Sequence, residues 1–399
     1  MRTYSDVVIV GAGASGLLCA GLLAKKGIGK RKSSSLSITI LEKNNRIGKK
    51  LSATGNGRCN FTNLHMQTDC YYGGNDWLEV VLGRVTPQKV IDQFAAMGIL
   101  HRERDGYVYP HTNQAGTVIR ALGKACEAER IHIELDCFVK EIYKKSKKEG
   151  FEVSTSKGTI SCRILVVAAG SAAGKESGGD TSGYELVQRL GLHVGTIYPG
   201  LTGLHCPGKW WNRVAGTRIQ GRFSLLVDGE EKKGETGEIQ IVKDGVSGIP
   251  VFQLCRVAAE ALEKGKRVQG IIDFVPALSG EELQRWSERH GIQGLVPEKW
   301  LSVLEPQDVS MLKNYTFDVT ETFGLERAQV AAGGVELSQV DPDSMEVRQV
   351  PGLFLLGEIL DVDGKCGGYN LHFAWATAML AADAIAGRME VKYVTTDTM

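Results

Sequence analysis

The order of apolar and polar positions at the start of the chain predicts a strand, a turn and a helix. Asp6–Val10 is a short apolar run typical of a strand, and Gly11–Gly16 follows it as a glycine-rich turn. Ala14–Lys26 then carries leucines at helical spacing. Leu36–Leu41 is a second apolar run, and it ends at Glu42. Together these segments predict a βαβ unit, the nucleus of a nucleotide-binding α/β fold.

Further along the chain, the pattern predicts two helices and several strands. The helices are expected at Thr86–Gly98 and Asn113–Glu129. Two alternating runs, Ile131–Val139 and Phe151–Ser156, are expected to pair as antiparallel strands. The fully apolar run Ile164–Ala168 predicts a strand buried on both faces of a parallel sheet.

The middle of the chain has a different order of predicted elements, with short β-like runs followed by helical stretches. These segments are Gly221–Val227, Glu238–Val242, Pro250–Lys264, Gly280–Gly291 and Pro297–Leu304. The glycine-rich pattern of alternating strands and helices then resumes, with a buried strand at Leu353–Leu356 and a long alanine-rich helix at Asn370–Gly387. We therefore predict a discontinuous nucleotide-binding domain, residues 1–191 and 328–399, interrupted by an inserted domain at 192–327 with a helical subdomain at about 250–310.

Composition narrows the class of protein. A chain of 399 residues suits two or three domains, and its 49 glycines exceed the usual share of ~7%. The formal net charge is +1, which argues against a chain that binds nucleic acid over its whole surface.

Cysteine usage and the longest apolar run both bear on location. The nine cysteines include no C-x-x-C pair, so we expect free thiols in a reducing compartment and no metal site. Val7–Ala24 is interpreted as strand and helix rather than as a membrane span or signal peptide, because its glycines follow a phosphate-loop pattern. The sequence therefore predicts a cytoplasmic protein without a membrane partner.

The first motif with chemical meaning is Gly11-x-Gly13-x-x-Gly16, preceded by a strand and followed by a helix. In such a loop the first glycine permits a tight turn, the second lets the backbone approach a pyrophosphate, and the third lets the helix pack against the strand. The N–H groups around Ala14 and Ser15 then face the phosphates from the helix N-terminus. Glu42, at the end of the second strand, is expected to accept hydrogen bonds from an adenosine ribose.

Three further segments carry candidate groups. The loop Thr54–Asn60 is dense in glycine and polar residues, Lys50 precedes it, and Cys59 beside Arg58 is expected to have a lowered pKa. Ala169 and Gly170 end the Ile164–Ala168 strand, where small residues allow a cofactor to lie close. A strand ending in Gly357-Glu358, then Gly367-Gly368 at a helix start, suits a ribityl chain and an anionic flavin edge.

These motifs, in this order, resemble those of the FAD-linked flavoprotein superfamily, and four segments resemble the BaiN/YhiN group in particular, also called the aminoacetone oxidase family. The segments are IGKKLSATGNGRCNFTN (47–63), DGYVYPHTNQAGTV (105–118), GVSGIPVFQL (245–254) and the stretch from AAGGVELSQ to YNLHFAWATA (331–378). The chain departs from this group at the KRKSSS insertion (30–35), at Cys366 and at His111.

The resemblance implies a fold and a cofactor. The expected fold is an α/β protein with a discontinuous Rossmann-like FAD-binding domain, an inserted β-barrel-like domain and a small helical subdomain. FAD is the expected cofactor, and NAD(P)H is the expected transient electron donor. The residues expected to bind FAD are Gly11, Gly13, Ala14, Ser15, Gly16, Glu42, Lys43, Lys50, Gly55, Gly57, Arg58, Cys59, Asn60, Val139, Ala169, Gly170, Gly357, Glu358, Asp361, Gly367, Gly368, Asn370 and Leu371.

The resemblance also implies an activity, with several alternatives. The leading expectation is hydride transfer from reduced flavin to a C=C bond conjugated to a carbonyl, as in a 3-dehydro-bile-acid-type enone. The catalytic candidates are Arg58, Cys59 and His372, and Tyr109 and His111 are further candidate acids. A ribosomal RNA dihydrouridine synthase, an aminoacetone oxidase and a non-catalytic flavin-binding protein are the alternatives.

A small molecule is the expected substrate, and RNA is the alternative partner. Contacts with RNA would involve the basic clusters Lys25–Lys32, Lys144–Lys148 and Lys209–Arg222. The near-zero net charge favours solvated surface charges at these clusters.

Overall fold

A computed structural model describes residues 2–27, 36–73, 75–145, 150–304 and 308–396. The KRKSSS loop (30–35) and part of the cluster Lys144–Lys148 lie outside these ranges. The chain divides into two compact units, one formed by Met1–Ile197 with Ala332–Met399 and the other by Tyr198–Ala331.

The helices of the described residues are α1 (Ala14–Gly27), α2 (Thr54–Gly57), α3 (Asn75–Arg84), α4 (Pro87–Ala95), α5 (Ala115–Ala128), α6 (Ser182–Arg189), α7 (Trp211–Val214), α8 (Ile249–Glu263), α9 (Gly280–His290), α10 (Gly324–Arg327) and α11 (Tyr369–Thr396). The strands are β1 (Tyr4–Val10), β2 (Ile38–Leu41), β3 (Thr62–Asn63), β4 (Tyr71–Tyr72), β5 (His101–Arg104), β6 (Tyr107–Pro110), β7 (His132–Glu134), β8 (Val139–Lys144), β9 (Phe151–Thr155), β10 (Gly158–Val167), β11 (Tyr198–Gly200), β12 (Leu204–His205), β13 (Arg218–Val227), β14 (Glu230–Val242), β15 (Gly245–Ser247), β16 (Val268–Asp273), β17 (Tyr315–Val319), β18 (Glu321–Thr322), β19 (Val330–Ala332), β20 (Leu353–Leu355) and β21 (Asp363–Gly364).

The first unit is built on a mixed sheet with strand order β7-β2-β1-β10-β9-β8, and β20 lies beside β10. The pairs β1–β2, β1–β10, β2–β7 and β10–β20 are parallel, whereas β9 is antiparallel to its neighbours β8 and β10. The apolar end of β10 is buried, as expected for a strand covered on both faces. Helices α1 and α11 pack against each other in this unit.

One predicted strand pairing is wrong. Ile131–Val139 does not form a single strand antiparallel to Phe151–Ser156, because the chain breaks at Asp136, which has a left-handed φ of 48°. The part before the break, β7, pairs in parallel with the edge of β2. Only β8, which starts at Val139, pairs antiparallel with β9. Pairing with the open edge of β2 is a long-range choice that the local alternation pattern does not encode.

The second unit contains a seven-stranded sheet with order β17-β16-β13-β14-β15-β12-β18. Its described strands form an open sheet, not a closed barrel, so the barrel-like part of the expected architecture is corrected. Trp211, Phe223 and Trp300 are fully buried in the core of this unit. The predicted helix Pro297–Leu304 is a short 3-10 segment, Glu298–Ser302, in which the Trp300 N–H bonds three residues back to the Pro297 carbonyl oxygen.

The long apolar run at the N-terminus is divided between β1 and α1 by the glycine turn. Across the described ranges, no helix combines the length and apolar character needed to cross a membrane.

Replacement of Trp300 with alanine is expected to destabilise the second unit by about 3–5 kcal/mol, because a fully buried indole leaves a cavity. The Trp300 ring packs edge-on against Phe274 at 4.9 Å between centroids, and its Nε1–H donates to Thr217 Oγ1 at 3.0 Å. The matched control is Trp286→Ala, since Trp286 is 44% exposed and its removal is expected to cost about 0.5 kcal/mol or less. Urea unfolding followed by circular dichroism measures both changes, and equal losses would contradict the assigned core.

Candidate functional site

The glycine-rich turn after β1 has the geometry that a phosphate loop requires. Gly11 has a φ of 105°, and a Cβ there would lie 2.3 Å from the Ala168 carbonyl oxygen. At Gly16 a Cβ would lie 2.0 Å from the Gly11 carbonyl oxygen, so only glycine lets α1 pack this closely. At Gly13, by contrast, a Cβ would meet nothing within 4 Å. The loop is therefore tight on its protein side and open at Gly13, where a pyrophosphate would approach.

The N-terminus of α1 supplies donors at this opening. The N–H of Leu17 makes an early intrahelical bond, to the Gly13 carbonyl oxygen at 3.1 Å. The N–H groups of Ala14, Ser15 and Gly16 therefore precede the helical hydrogen-bond ladder and can serve an anion.

Glu42 is buried at the end of β2, and its carboxylate ties two loops together. Its Oε2 accepts the Ala12 N–H at 2.7 Å. Its Oε1 accepts the backbone N–H and the side-chain amide of Asn44, at 2.8 and 2.6 Å. A carboxylate has about four acceptor positions, so three of them are used by the described residues. The remaining acceptor position suits a ribose hydroxyl, which was the role predicted for Glu42.

The segment after Glu42 is fixed by a second loop. Lys43 Nζ pairs with Asp180 Oδ2 at 2.5 Å, and a Cβ at Gly178 would lie 3.0 Å from the Asn44 side chain. Val139, another predicted cofactor contact, is buried at the start of β8, two residues after Cys137. The Cys137 N–H donates to the Glu42 carbonyl oxygen at 2.8 Å, so Val139 lies beside this end of the site.

Lys50 and Glu358 form a half-buried ion pair although 308 residues separate them. Lys50 Nζ lies 2.9 and 2.7 Å from the two oxygens of Glu358, and 3.4 Å from Ser171 Oγ. Ser171 follows Ala169 and Gly170, so this contact joins the ends of β10 and β20. Lys50, which is expected to bind FAD, and Glu358, which is expected to hold the ribityl chain, therefore neutralise each other here.

The C-terminal motif lies against the phosphate loop. Gly357 has a φ of 69°, and a Cβ there would be 3.1 Å from Ser15 Oγ. Its N–H donates to Thr377 Oγ1 of α11 at 3.0 Å. The Gly11–Gly16 turn and the end of β20 are thus adjacent in the first unit.

Helix α11 begins directly after Gly367 and Gly368, which have φ values of 133° and 96°. The His372 N–H bonds to the Gly368 carbonyl oxygen at 2.9 Å, so the N–H of Leu371 and its two predecessors start the helix without intrahelical partners. The Asn370 side chain is used structurally, since its Oδ1 and Nδ2 each lie 2.8 Å from the backbone of Gly364. Asp361 lies half-buried in the loop that joins β20 to β21.

Asn60 provides the observation that tests whether this site fits FAD. Its Oδ1 is buried and has no hydrogen-bond partner among the described residues. A Cβ at Gly368 would lie 2.8 Å from that oxygen, so the orphaned acceptor faces the start of α11. An orphaned acceptor, an open Gly13 and unpaired helix N–H groups are what a dinucleotide with phosphates and a hydrogen-bonding ring would satisfy. The residues present therefore fit FAD.

The loop that precedes Asn60 is strained. Gly55, Asn56, Gly57 and Cys59 all have φ between 55° and 78°. For Asn56 and Cys59 this conformation is uncommon, and such strain is typical of functional loops. The predicted lowering of the Cys59 pKa is wrong, because full burial raises the pKa of this thiol to about 12.

Arg58, unlike Cys59, is exposed. Its guanidinium carbon lies 5.4 Å from the centroid of the Tyr109 ring, and its Nε donates to the Gly55 carbonyl oxygen at 3.0 Å. The stacked cation and phenol form a donor pair at the surface of the first unit. His111, two residues after Tyr109, is exposed beyond the end of β6.

The surroundings of His372 do not support its predicted role as a catalytic acid. The ring is fully buried, and its Nε2 lies 2.9 Å from the Val85 carbonyl oxygen. Because a carbonyl only accepts, Nε2 carries the proton, and Nδ1 accepts from Thr62 Oγ1 at 2.8 Å. Burial lowers the pKa of His372 to about 4. Both ring nitrogens are therefore occupied in a neutral, structural histidine.

Several residues of the site escaped the sequence analysis. Asn44, Ser171 and Thr62 act through side-chain hydrogen bonds to distant or neighbouring residues, and no sequence motif marks them. Tyr184, on α6, is buried beside Glu358 and Asp361; burial raises the pKa of its phenol, and the two carboxylates raise it further. The glycine at position 183, whose Cβ would lie 2.8 Å from Ala169 Cβ, is the one local signal that α6 packs on the end of β10.

Comparison with known proteins gives a family and two groups of relatives. The HI0933-like protein Rossmann domain family matches residues 5–384. A 3-dehydro-bile acid delta(4,6)-reductase of Clostridium scindens is 33% identical over 95% of this chain and 98% of its own. A ribosomal RNA dihydrouridine synthase of Haemophilus influenzae is 27% identical over 97% of this chain and 100% of its own.

Solved structures show a similar fold at low sequence identity. The 3-ketosteroid delta1-dehydrogenase of Sterolibacterium denitrificans aligns with a TM-score of 0.57 and 12% identity, covering 97% of this chain and 100% of its own. The 3-ketosteroid-delta4-(5alpha)-dehydrogenase of Rhodococcus jostii RHA1 aligns with a TM-score of 0.52 and 13% identity, covering 96% of this chain and 97% of its own. At these identities the likeness concerns the fold alone.

Gly13→Ala is expected to leave the stability of the apo-protein within about 0.5 kcal/mol of the parent, because a Cβ meets nothing within 4 Å. The same methyl group would project into the space predicted for the pyrophosphate, so FAD affinity is expected to fall at least about tenfold. Gly11→Ala is the matched comparison and should unfold more easily, because its Cβ would clash with Ala168. Thermal unfolding and FAD titration measure the two effects. Unchanged FAD affinity in Gly13→Ala would contradict the assigned phosphate position.

His372 is expected to make the folded state sensitive to mild acid. Its pKa falls from the ordinary 6.5 to about 4 on folding, so the unfolded chain binds the proton more readily. The free energy of unfolding should therefore decrease as the pH falls from about 6.5 to about 4, by at most about 1.4 kcal/mol per pH unit from this group. His372→Gln should show a shallower slope in urea unfolding over this window. An identical slope in parent and variant would show that the ring is not buried in its neutral form.

Proposed function

The chain belongs to the HI0933-like family of Rossmann-domain proteins, and on this premise we propose that this FAD-dependent oxidoreductase reduces a C=C bond conjugated to a carbonyl group. The membership confirms the family resemblance identified from the sequence motifs. The proposal takes its substrate class, a 3-dehydro-bile-acid-type enone, from the Clostridium scindens relative, whose name specifies a reductase of that kind.

One observation carries the proposal: Gly357, at the sheet edge where β20 ends, lies against Ser15 of the phosphate loop, and its N–H donates to Thr377 of α11. One extended dinucleotide can therefore reach from the Gly13 opening to the orphaned Asn60 oxygen at Gly368. In the proposed arrangement, Gly13, Ala14 and Ser15 hold the diphosphate and Glu42 holds the adenosine ribose. The helix start at 368–371 faces the flavin ring.

FAD, when bound, supplies the hydride, and the chain supplies position and charge. Arg58 is placed to donate hydrogen bonds to the substrate carbonyl oxygen, since its guanidinium lies above Tyr109 in an exposed loop. The Tyr109 phenol, beside this cation, is the proposed proton donor to the substrate α-carbon. Cys59 and His372 are not assigned proton transfer, because the first retains its proton too firmly and the second has both nitrogens occupied.

NAD(P)H is the proposed electron donor. The sequence holds no second G-x-G-x-x-G after a strand, so a transient encounter at the flavin is proposed rather than a dedicated nicotinamide domain. The cytoplasm is the proposed location, and the support for it is that all nine cysteines are free thiols.

Reduction of a uracil in ribosomal RNA is the second candidate function. It is favoured by the Haemophilus influenzae relative, which aligns over its whole length. The chemistry is the same, because the uracil ring also contains a C=C bond conjugated to a carbonyl.

The decisive experiment asks which donor bleaches the purified yellow protein without oxygen and which acceptor restores its colour. NADH or NADPH is expected to bleach the flavin, and a 3-oxo-4-ene steroid is expected to restore it. Restoration only by a uridine-containing ribosomal RNA fragment would transfer the proposal to RNA. Peroxide formed from aminoacetone in air would indicate an amine oxidase. A flavin that no donor reduces would refute the reductase proposal altogether.

A further inference from the structure

A small antiparallel sheet of the first unit, with order β3-β6-β5, carries a chemically uniform outer face. In the register of β5 and β6, Arg102 lies opposite Tyr109 and Arg104 lies opposite Tyr107. Directly opposed residues, and residues two apart on one strand, point to the same side of a sheet. The four side chains therefore share one side, which we call the arginine–tyrosine face (Arg102, Arg104, Tyr107 and Tyr109).

The opposite side of this sheet belongs to the core. Val108, between the two tyrosines, is fully buried and pairs with Thr62, which is also fully buried. Pro110 is buried as well. The alternation places the arginine–tyrosine face on the side away from Val108, where the two arginines are exposed and the two tyrosines are half-buried.

The face is continuous with the loops assigned to the flavin. Asn63 of β3 lies opposite Tyr107, and its Nδ2 donates to the Gly367 carbonyl oxygen at 2.9 Å. A Cβ at Gly367 would be 2.8 Å from the Tyr107 ring, and a Cβ at Gly55 would be 3.9 Å from the Tyr109 ring. Both tyrosines therefore contact the glycine loops on either side of the proposed reaction site.

The two arginines of this face differ in how their charge is compensated. Arg102 is exposed and forms no ion pair with any described residue. Arg104 pairs only with Asp105, at 3.4 Å, where both side chains are about four-fifths exposed. Glu103 also carries a negative charge in this hairpin, but it lies on the other side of β5, where its Oε1 accepts the Gly106 N–H at the turn.

We propose that the arginine–tyrosine face binds an anionic group of the substrate. The inference rests on the proposed function for the position of the reacting bond, which would lie at the Gly367 end of the face. Arginine offers a planar fork of donors that matches a carboxylate or a phosphate, and the phenol rings offer flat apolar support to the group that bears the anion. A carboxylate on a small enone and a phosphate on a nucleotide share this recognition chemistry.

The inference is tested by equilibrium binding to the oxidised holoenzyme, because this measurement does not depend on catalytic turnover. Three probes are used: a 3-oxo-4-ene steroid bearing a carboxylate, its methyl ester, and a labelled single-stranded oligouridylate. The parent is expected to bind the carboxylate about tenfold more tightly than the ester, or to bind the oligouridylate with an affinity that falls as salt is raised. Preference in the first arm assigns the anion to a small acid, and binding in the second assigns it to RNA phosphates.

The variants test whether the face is responsible. Arg102→Gln combined with Arg104→Gln is expected to abolish the preference for the acid, or to weaken oligouridylate binding about tenfold. Arg102→Lys with Arg104→Lys should restore part of either effect, because charge returns without the planar fork. Arg285→Gln, which removes an exposed arginine of α9, is the control and should change neither. Far-UV circular dichroism and FAD content establish that each variant is folded.

The inference is overturned if the acid and the ester bind alike and the oligouridylate does not bind, or if an anion preference survives in the double glutamine variant. Failure of the proposed function would give a different result. In that case anionic probes would still bind through Arg102 and Arg104, but no enone or uridine would restore the colour of the reduced flavin.

Discussion

Parallel pairing of β1, β2, β10 and β20 is the constraint on which the rest of the first unit depends. Parallel strands bring all their carboxyl ends to one edge of the sheet, and each of these four strands ends in a motif residue. Gly11 follows β1, Glu42 follows β2, Ala169 lies just after β10, and Gly357 lies just after β20. Segments far apart in sequence therefore become one site without any long loop having to fold back.

At this edge of the sheet, glycines let the neighbouring backbone segments pack closely together. The Gly11 turn touches the end of β10, where a side chain would clash with Ala168, and Gly357 lies against Ser15 with a φ of 69° that disfavours any other residue. The polar groups at the edge are then largely satisfied from within: Glu42 by two loops, and Glu358 by Lys50. Burial of these charges would be costly if they were unpaired, so the site is held in shape by pairing as well as by packing. The acceptor of Asn60 is left unpaired by the described residues, and in the proposed arrangement FAD completes the site there.

The side of the site where we propose that the substrate reacts has a different composition. Arg58 and Tyr109 lie in or beside a strained, glycine-rich loop at the surface, and the neighbouring hairpin presents further arginines outward. The buried sheet edge proposed to bind the cofactor is thus next to an exposed surface of arginine and tyrosine side chains. This division is consistent with a family in which the flavin domain is retained while the substrates named for its members differ.

The sequence alone determined the N-terminal βαβ unit, the different roles of the three loop glycines, and the acid at the end of β2. These features depend on turns, helical spacing and alternation, which are local properties of the chain. Tertiary structure decided the rest. The ion pair between Lys50 and Glu358 joins segments 308 residues apart, and the high pKa of Cys59 follows from burial. His372 is neutral and structural because Val85 and Thr62 happen to meet it. Likewise β7 joined the open edge of β2 instead of β9. Burial and long-range pairing depend on which surfaces meet, and no local pattern carries that information.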